Sequence, residues 1–351
     1  MNYIKYVVVV FVLSIVAGFA AHHRLELNKE YPKLGEEREF QKFANSIRKL
    51  QRKANDGDIR RGFHAKHHGC LTGTFKVLET RVAREGVFKE AKEFPLWVRF
   101  SNAGGKIQED SAPDLRGVAL KLMNVDGKKL LPNEQDAKTQ DFLMTNKPVA
   151  TKDAKSFVEF AEAAAEGPVS LLGWTIWHPV TAWSILGKAL EEVPSLLTEQ
   201  YWSGAPILIG SRAAKFNITP CRKIEKVMPE DPSENYLKED LTKDAKRNSG
   251  ICFNFNVQYQ TDPYATPIED TLDEWTEGES PSFLVAKVLL PRQSFDSPAQ
   301  NEFCENLAFT PWHALPDHRP LGNVMRARRV IYEASRSFRR GGKPSVEPSP
   351  P

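Results

Sequence analysis

Cysteine is scarce in this chain. The four present, Cys70, Cys221, Cys252 and Cys304, stand far apart, and no Cys-x-x-Cys pair occurs. That spacing argues against a zinc ribbon and against a covalently attached c-type haem. Four cysteines in an exported chain permit disulfides. A chain of this size does not need them for stability, so free and mostly buried thiols are the expectation. An excess of either charge is also lacking. The 48 basic and 45 acidic residues leave a net charge of only +3, so nothing in the bulk electrostatics points to nucleic acid. There is no internal repeat. The 351 residues suffice for one large domain or two small ones with a sizeable core.

An apolar run long enough to cross a bilayer comfortably is missing too. The longest, Tyr6 to Ala21, has about sixteen apolar or small residues, against the ~20 a membrane helix needs. With Lys5 ahead of it and Gly18-Phe19-Ala20 near its end, it fits a secretory signal peptide, with an uncleaved anchor as the alternative. Either places the remaining chain in an extracytoplasmic compartment (periplasmic or secreted) and leaves membrane association open through residues 1–21.

What is present divides into four stretches: residues 1–21, an N-terminal helical arm over 22–59, one domain over 60–340, and a Gly, Pro and Ser-rich tail over 341–351 that reads as disordered. Phe40, Phe43, Ile47 and Leu50 form one stripe of a helix over 36–55. From Cys70 to about Val149 the period changes to two. Leu71, Gly73, Phe75 and Val77 alternate with polar residues, and residues 96–101 and 117–122 read as further strands separated by turns, which favours an antiparallel sheet or barrel. Thr151 is placed to cap a helix reaching about Glu166. Residues 168–187 are apolar throughout but are interrupted by His178-Pro179, which predicts two short helices, buried or facing a second subunit; a ledge touching membrane or lipid is the sharper reading. Strands resume over 206–219, 251–259 and 282–290, with a charged, exposed excursion at 222–249. A helix begins around Asp296-Ser297-Pro298, and a final one runs from about Asn323 to Arg339.

Two features carry chemistry. Arg61-Gly62-Phe63-His64-Ala65-Lys66 presents a histidine ahead of the first strand, and His64 and Asn146 both fall at strand ends, where site residues often sit. In the last helix Arg328 and Tyr332 lie four apart on one face, a cation beside a phenol. A phenolate is a hard ligand suited to ferric iron, and tyrosine is a known proximal ligand of haem.

Together these segments resemble the haem catalases. Residues 61–66 are similar to the segment holding the distal histidine. Trp97-Val98-Arg99-Phe100-Ser101 is similar to the following strand, and Asp114-Leu115-Arg116-Gly117-Val118-Ala119-Leu120-Lys121 to the one after it. Asn146-Lys147-Pro148-Val149 resembles the distal asparagine segment, and Arg328-Arg329-Val330-Ile331-Tyr332 the R-x-x-x-Y proximal helix. The resemblance implies an α+β fold, with an antiparallel β-barrel of about eight strands, surrounding helices, and haem between the barrel and the last helix. It implies His64 as the acid/base on peroxide, Asn146 as a donor to the peroxide oxygens and Ser101 as the residue orienting His64. Tyr332 would ligate iron, with Arg328 paired to its phenolate. Arg61, Arg99 and Arg339 would face haem propionates, and Phe157 or Phe160 would stack on the porphyrin.

The pattern also departs from full-size catalases. The sequence ends nineteen residues after Tyr332, Ala150-Thr151 stand where a phenylalanine pair is usual, Phe63 precedes the histidine in place of valine, and Ala103 stands where a channel valine is usual. The closer likeness is to the short, catalase-related branch. The expectation is a catalase or catalase-related peroxidase acting on hydrogen peroxide or organic peroxides, with a fatty-acid hydroperoxide lyase or isomerase (allene oxide synthase-like) as the alternative. A homo-oligomer is compatible with the family; a nucleic-acid partner is not expected.

Overall fold

The computed structural model describes residues 24–147, 151–342 and Pro348. The signal or anchor segment, Pro148 to Ala150 and most of the tail therefore lie outside the described residues.

The strands are β1 (His67–Val77), β2 (Glu93–Asn102), β3 (Arg116–Leu122), β4 (Gln140–Thr145), β5 (Tyr201–Trp202), β6 (Ile207–Ile209), β7 (Arg212–Pro220), β8 (Ile251–Tyr259) and β9 (Phe283–Leu290). Their order is β5-β4-β3-β2-β1-β9-β8-β7-β6, antiparallel at each pairing. A further pairing of β5 with β7, Tyr201 opposite Ile218, closes eight strands into a barrel and leaves β6 as a hairpin on β7. The expected eight-stranded antiparallel barrel is thus present. Closure removes the open edges that a long sheet would otherwise expose.

The period-two pattern explains the interior. Leu71, Phe75, Leu96, Val98, Phe100, Leu120, Phe253, Phe255 and Val257 all point inward and are buried. Phe75, Phe142, Phe216 and Phe255 meet at centroid separations of 5.1 to 6.2 Å, so the barrel is a packed core and not a pore.

Around the barrel run α1 (Glu36–Lys53), α2 (Ala154–Glu166), α3 (Pro168–Trp177), α4 (Pro179–Ala189), α5 (Tyr236–Ala245), α6 (Pro298–Asn306) and α7 (Asn323–Arg339). The stripe on α1 buries Phe40 and Ile47, and Phe40 and Phe43 pack against Ala327, Val330 and Ile331 of α7. Acidic residues in its first turn and basic ones in its last complement the helix dipole. The start of α7 is clasped by carboxylates. Glu30 accepts from Gly322 N at 2.7 Å and Glu269 from Asn323 N at 2.8 Å, which satisfies amides that a helix start leaves unpaired. Arg326 joins Glu30 (2.6 Å), Glu269 (2.9 Å) and Glu36 into one ionic knot.

The structure corrects several sequence expectations. The cysteines are paired: Cys70 of β1 with Cys304 of α6, and Cys221 with Cys252 at the ends of the neighbouring strands β7 and β8, each with Cα atoms 5.4 Å apart. Chain length does not decide pairing; proximity does, and the first pair is 234 residues apart in sequence. The cap of α2 is Asp153, which accepts from Ser156 N, while Thr151 is buried just outside the helix. The stretch at 222–249 is not simply an exposed excursion, because α5 within it buries Tyr236, Leu237 and Leu241 on the barrel core. The chain does break at His178-Pro179 into two helices, but much of their apolar surface is exposed rather than buried.

Candidate active site

His64 stands in the loop before β1 with φ 58°, a left-handed conformation that costs a non-glycine residue energy and persists only where the surroundings enforce it. Here they do. His64 N donates to the Ala103 carbonyl at 2.8 Å and Ala65 N to the Gly104 carbonyl at 3.1 Å, while Arg99 Nη2 donates to the His64 carbonyl at 2.9 Å. A side chain at Gly105 would sit 2.3 Å from the Gly62 carbonyl oxygen, so this loop approaches the turn after β2 as closely as backbone allows.

The His64 ring is fixed on two sides. Nδ1 lies 3.0 Å from Ser101 Oγ of β2. The ring rests on Gly117 of β3, where a Cβ would be 2.5 Å from both Cε1 and Nδ1. With the proton on Nδ1 and donated to Ser101, Nε2 presents its lone pair to the cavity. Burial, then the positive charges of Arg99, Arg328 and Arg61, hold the imidazole down to about 3, so it is a neutral base at ordinary pH.

The cavity it lines has about 780 Å³ of empty space including its open mouth. One wall comes from the barrel: Arg99 and Ser101 of β2, Val118 and Ala119 of β3, Leu143 and Met144 of β4. The other comes from α7: Ile331, Tyr332, Ser335, Arg336 and Arg339, with Ile47 of α1 beside them. Arg328 lies one turn before Tyr332 and donates to Met325 Sδ at 3.7 Å.

At one end three guanidinium groups gather around one carboxylate. Arg61 Nη1 is 2.9 Å from Glu305 Oε1, and Arg339 Nη1 is 3.4 Å from the same oxygen and 2.6 Å from the Glu305 carbonyl. Burial, then its like-charged neighbours Arg99 and Arg339, push Arg61 well below the usual arginine range; burial brings Arg99 to about 10. Three cations against Glu305 leave a positive surplus, and Arg99 Nε is buried without a hydrogen-bond partner. Such a place suits carboxylates arriving with a ligand. Among the described residues no group of three or more His, Cys, Asp or Glu side chains could hold a bare metal ion. A lone phenol beside a cationic cradle fits a metal already held by a macrocycle that bears carboxylates, and so fits haem.

The other sequence-derived candidates lie elsewhere. Asn146 is buried at the end of β4, where Oδ1 accepts from Arg116 N and Nδ2 donates to Glu199, both at 2.8 Å. It is not among the residues lining the cavity. Phe157 reaches the cavity only through Phe63, at a centroid distance of 5.1 Å, and Phe160 packs on Trp174 at 5.3 Å. Sequence reasoning did not single out Gly117 as a support, Glu305, Phe309 or Arg336. Glu305 carries no local signal, since its partners Arg61 and Arg339 come from other elements; Arg336 pairs with Glu333 one turn earlier on its own helix and with Glu134 from elsewhere. The signal for Gly117 was a glycine inside a strand, which marks a close approach.

No protein-family model matches the chain. It is 25% identical over 304 residues to a catalase-related peroxidase of Mycolicibacterium paratuberculosis, across 80% of this chain and 89% of that protein. Among solved structures it resembles catalase A from Saccharomyces cerevisiae (TM-score 0.67, 18% identity, 90% of this chain and 68% of that one). It also resembles a fungal catalase (0.66, 18%, 91% and 66%) and a bacterial catalase (0.64, 16%, 91% and 64%). At these identities the structural likeness shows the fold, and the chain spans about two thirds of the length of those catalases.

Proposed function

We propose that this chain, related to the haem catalases by sequence and fold, is a haem-dependent enzyme that consumes peroxide, as a catalase or a catalase-related peroxidase. One observation carries the reading: a neutral histidine, locked in a left-handed conformation and fixed through Nδ1, faces a cavity whose other wall carries Tyr332. When bound, haem supplies the iron at which a peroxide O–O bond is cleaved.

The chain's own residues supply the rest. Tyr332 offers its phenol oxygen as the metal ligand from α7, with Arg328 one turn away. Arg61, Arg99 and Arg339 hold the carboxylates of the macrocycle. His64 Nε2 takes a proton from one peroxide oxygen and returns it to the departing oxygen, a contribution of about 10²–10⁴-fold for a well-placed acid/base. Ser101 and Gly117 position that ring. The apolar lining from Val118, Leu143, Met144 and Phe309 keeps water from competing for the proton.

The test is the absorption spectrum of the purified full chain, expressed with ample haem, before and after peroxide. A ferric haem band with oxygen evolution identifies a catalase. A haem band with oxidation of an added donor identifies a peroxidase. A haem band with rearrangement of fatty-acid hydroperoxides, and neither of the other activities, replaces this reading with the lyase or isomerase one. No haem band overturns it.

A further inference from the structure

Residues 168–187, which make up α3 and most of α4, contain no Asp, Glu, Lys or Arg. At the chain's 26% charged composition a solvent-facing stretch of that length would carry about five. Yet the hairpin is largely outside the core. Trp177 and Trp183 are 83% and 80% exposed, and Val169, Leu172, Ile176 and Val180 are 63–87% exposed. Its inner side is closed: Trp174 packs on Phe160, and His178 stacks on Trp174 at 4.7 Å with Nδ1 3.1 Å from the Trp174 carbonyl.

We infer that this hairpin is a membrane-docking surface, its apolar face and two tryptophans seated in the interfacial layer of a lipid bilayer. Three observations select that occupant. The first is dimension. The ten residues of α3 rise about 15 Å against a hydrocarbon core of about 30 Å, so neither helix spans, and no described helix is long and apolar enough to cross a membrane. A short apolar pair of this size lies in the interface instead. The second is composition. The exposed face of the hairpin has no charged residue of its own, the acidic and basic groups beside it (Lys155, Glu159, Glu162 and Glu166) belong to α2, and it carries two large indoles whose N–H groups suit a headgroup layer. The third is continuity with the chain outside the described residues. The first described residues and the hairpin are tied to one segment: Leu25 N to Tyr264 Oη at 3.3 Å, Tyr31 N to Glu269 at 2.8 Å, and Lys188 Nζ of α4 to Glu274 at 2.9 Å. The apolar run Tyr6 to Ala21 precedes that anchorage directly. The inference does not depend on the reaction the cavity performs.

The test uses the full chain and the double variant W177Q/W183Q, mixed with phosphatidylcholine vesicles whose acyl chains are plain or brominated. Both substitutions lie on the surface, so far-UV circular dichroism should be unchanged. The emission contributed by the pair (parent minus variant) should be lost in brominated vesicles and shift to the blue in plain ones. The same difference also separates the hairpin from residues 1–23, which both proteins share. Three outcomes overturn the inference. If the pair's emission ignores bromine and stays open to acrylamide, the face is bare in solution. If it is shielded from acrylamide without lipid and the mass doubles with concentration, a second copy covers it. If it is shielded at every concentration as a monomer, the chain's own apolar run covers it.

Discussion

The ring of His64 lies on the α-carbon of Gly117, so close that any β-carbon there would stand 2.5 Å from the imidazole. A strand backbone therefore serves as the floor of the proposed acid/base. Gly117→Ala should leave the barrel folded, because β3 keeps its pairings, and tilt the ring off Ser101. Peroxide turnover should fall toward the value without an acid/base, about 10²–10⁴-fold, with haem content retained. Full activity in Gly117→Ala would show that the ring's position is not fixed by this contact.

His64→Ala should likewise retain haem and lose turnover. Tyr332→Phe should instead change the spectrum, removing phenolate-to-iron charge-transfer bands and weakening haem retention. An unchanged spectrum would place the metal ligand on another residue.

Stability should depend on pH in a defined window. Burial first, aided by nearby cations, pushes His64 and His67 from 6.5 to about 3; burial above all brings His68 and His318 to about 4. Between about 4 and 6.5 the unfolded chain binds protons that the folded chain does not. Stability is therefore full above 6.5 and falls as pH drops through that range. Urea midpoints measured from pH 7.5 to 4.5 should decline steadily. A flat profile would contradict the burial of these rings.

Arg326 neutralises three carboxylates, Glu30, Glu36 and Glu269, two of which also accept from the first amides of α7. Arg326→Met should cost about 3 kcal/mol in urea unfolding, since it leaves Glu36 and Glu269 without their cation while Glu30 keeps Arg319. Haem affinity should fall with it, because the same helix carries Tyr332 and Arg339.

The Cys70–Cys304 bridge closes a span of 234 residues and sits next to Glu305, which holds Arg61 and Arg339. Replacing both cysteines by serine should cost about 2–5 kcal/mol and lower the midpoint of thermal unfolding. An unchanged midpoint would mean that the bridge adds no net stability.

Much of this was legible in the sequence. Period-two apolar runs gave the strands, because alternate side chains of a half-buried strand must differ. The 3.6-residue stripe of Phe40, Phe43 and Ile47 marked α1, and the residues from Asn323 to Arg339 marked α7. The expected helix break at His178-Pro179 is where α3 ends, since proline offers no amide to continue the ladder. Of the residues the resemblance singled out, the fold brings His64, Ser101, Arg61, Arg99, Tyr332 and Arg339 to one cavity, whereas Asn146, Arg328, Phe157 and Phe160 are not among its lining.

What only the tertiary structure decided were relationships between residues distant in the chain. No local pattern pairs Cys70 with Cys304, sets Glu305 among three arginines, lays His64 on Gly117, or closes the barrel through Tyr201 and Ile218. Nor does composition say whether residues 168–187 are buried or bare. Periodicity reports which face of an element is apolar, because that follows from backbone geometry alone. What meets that face depends on where closure of the barrel leaves each helix, and that is a property of the whole chain.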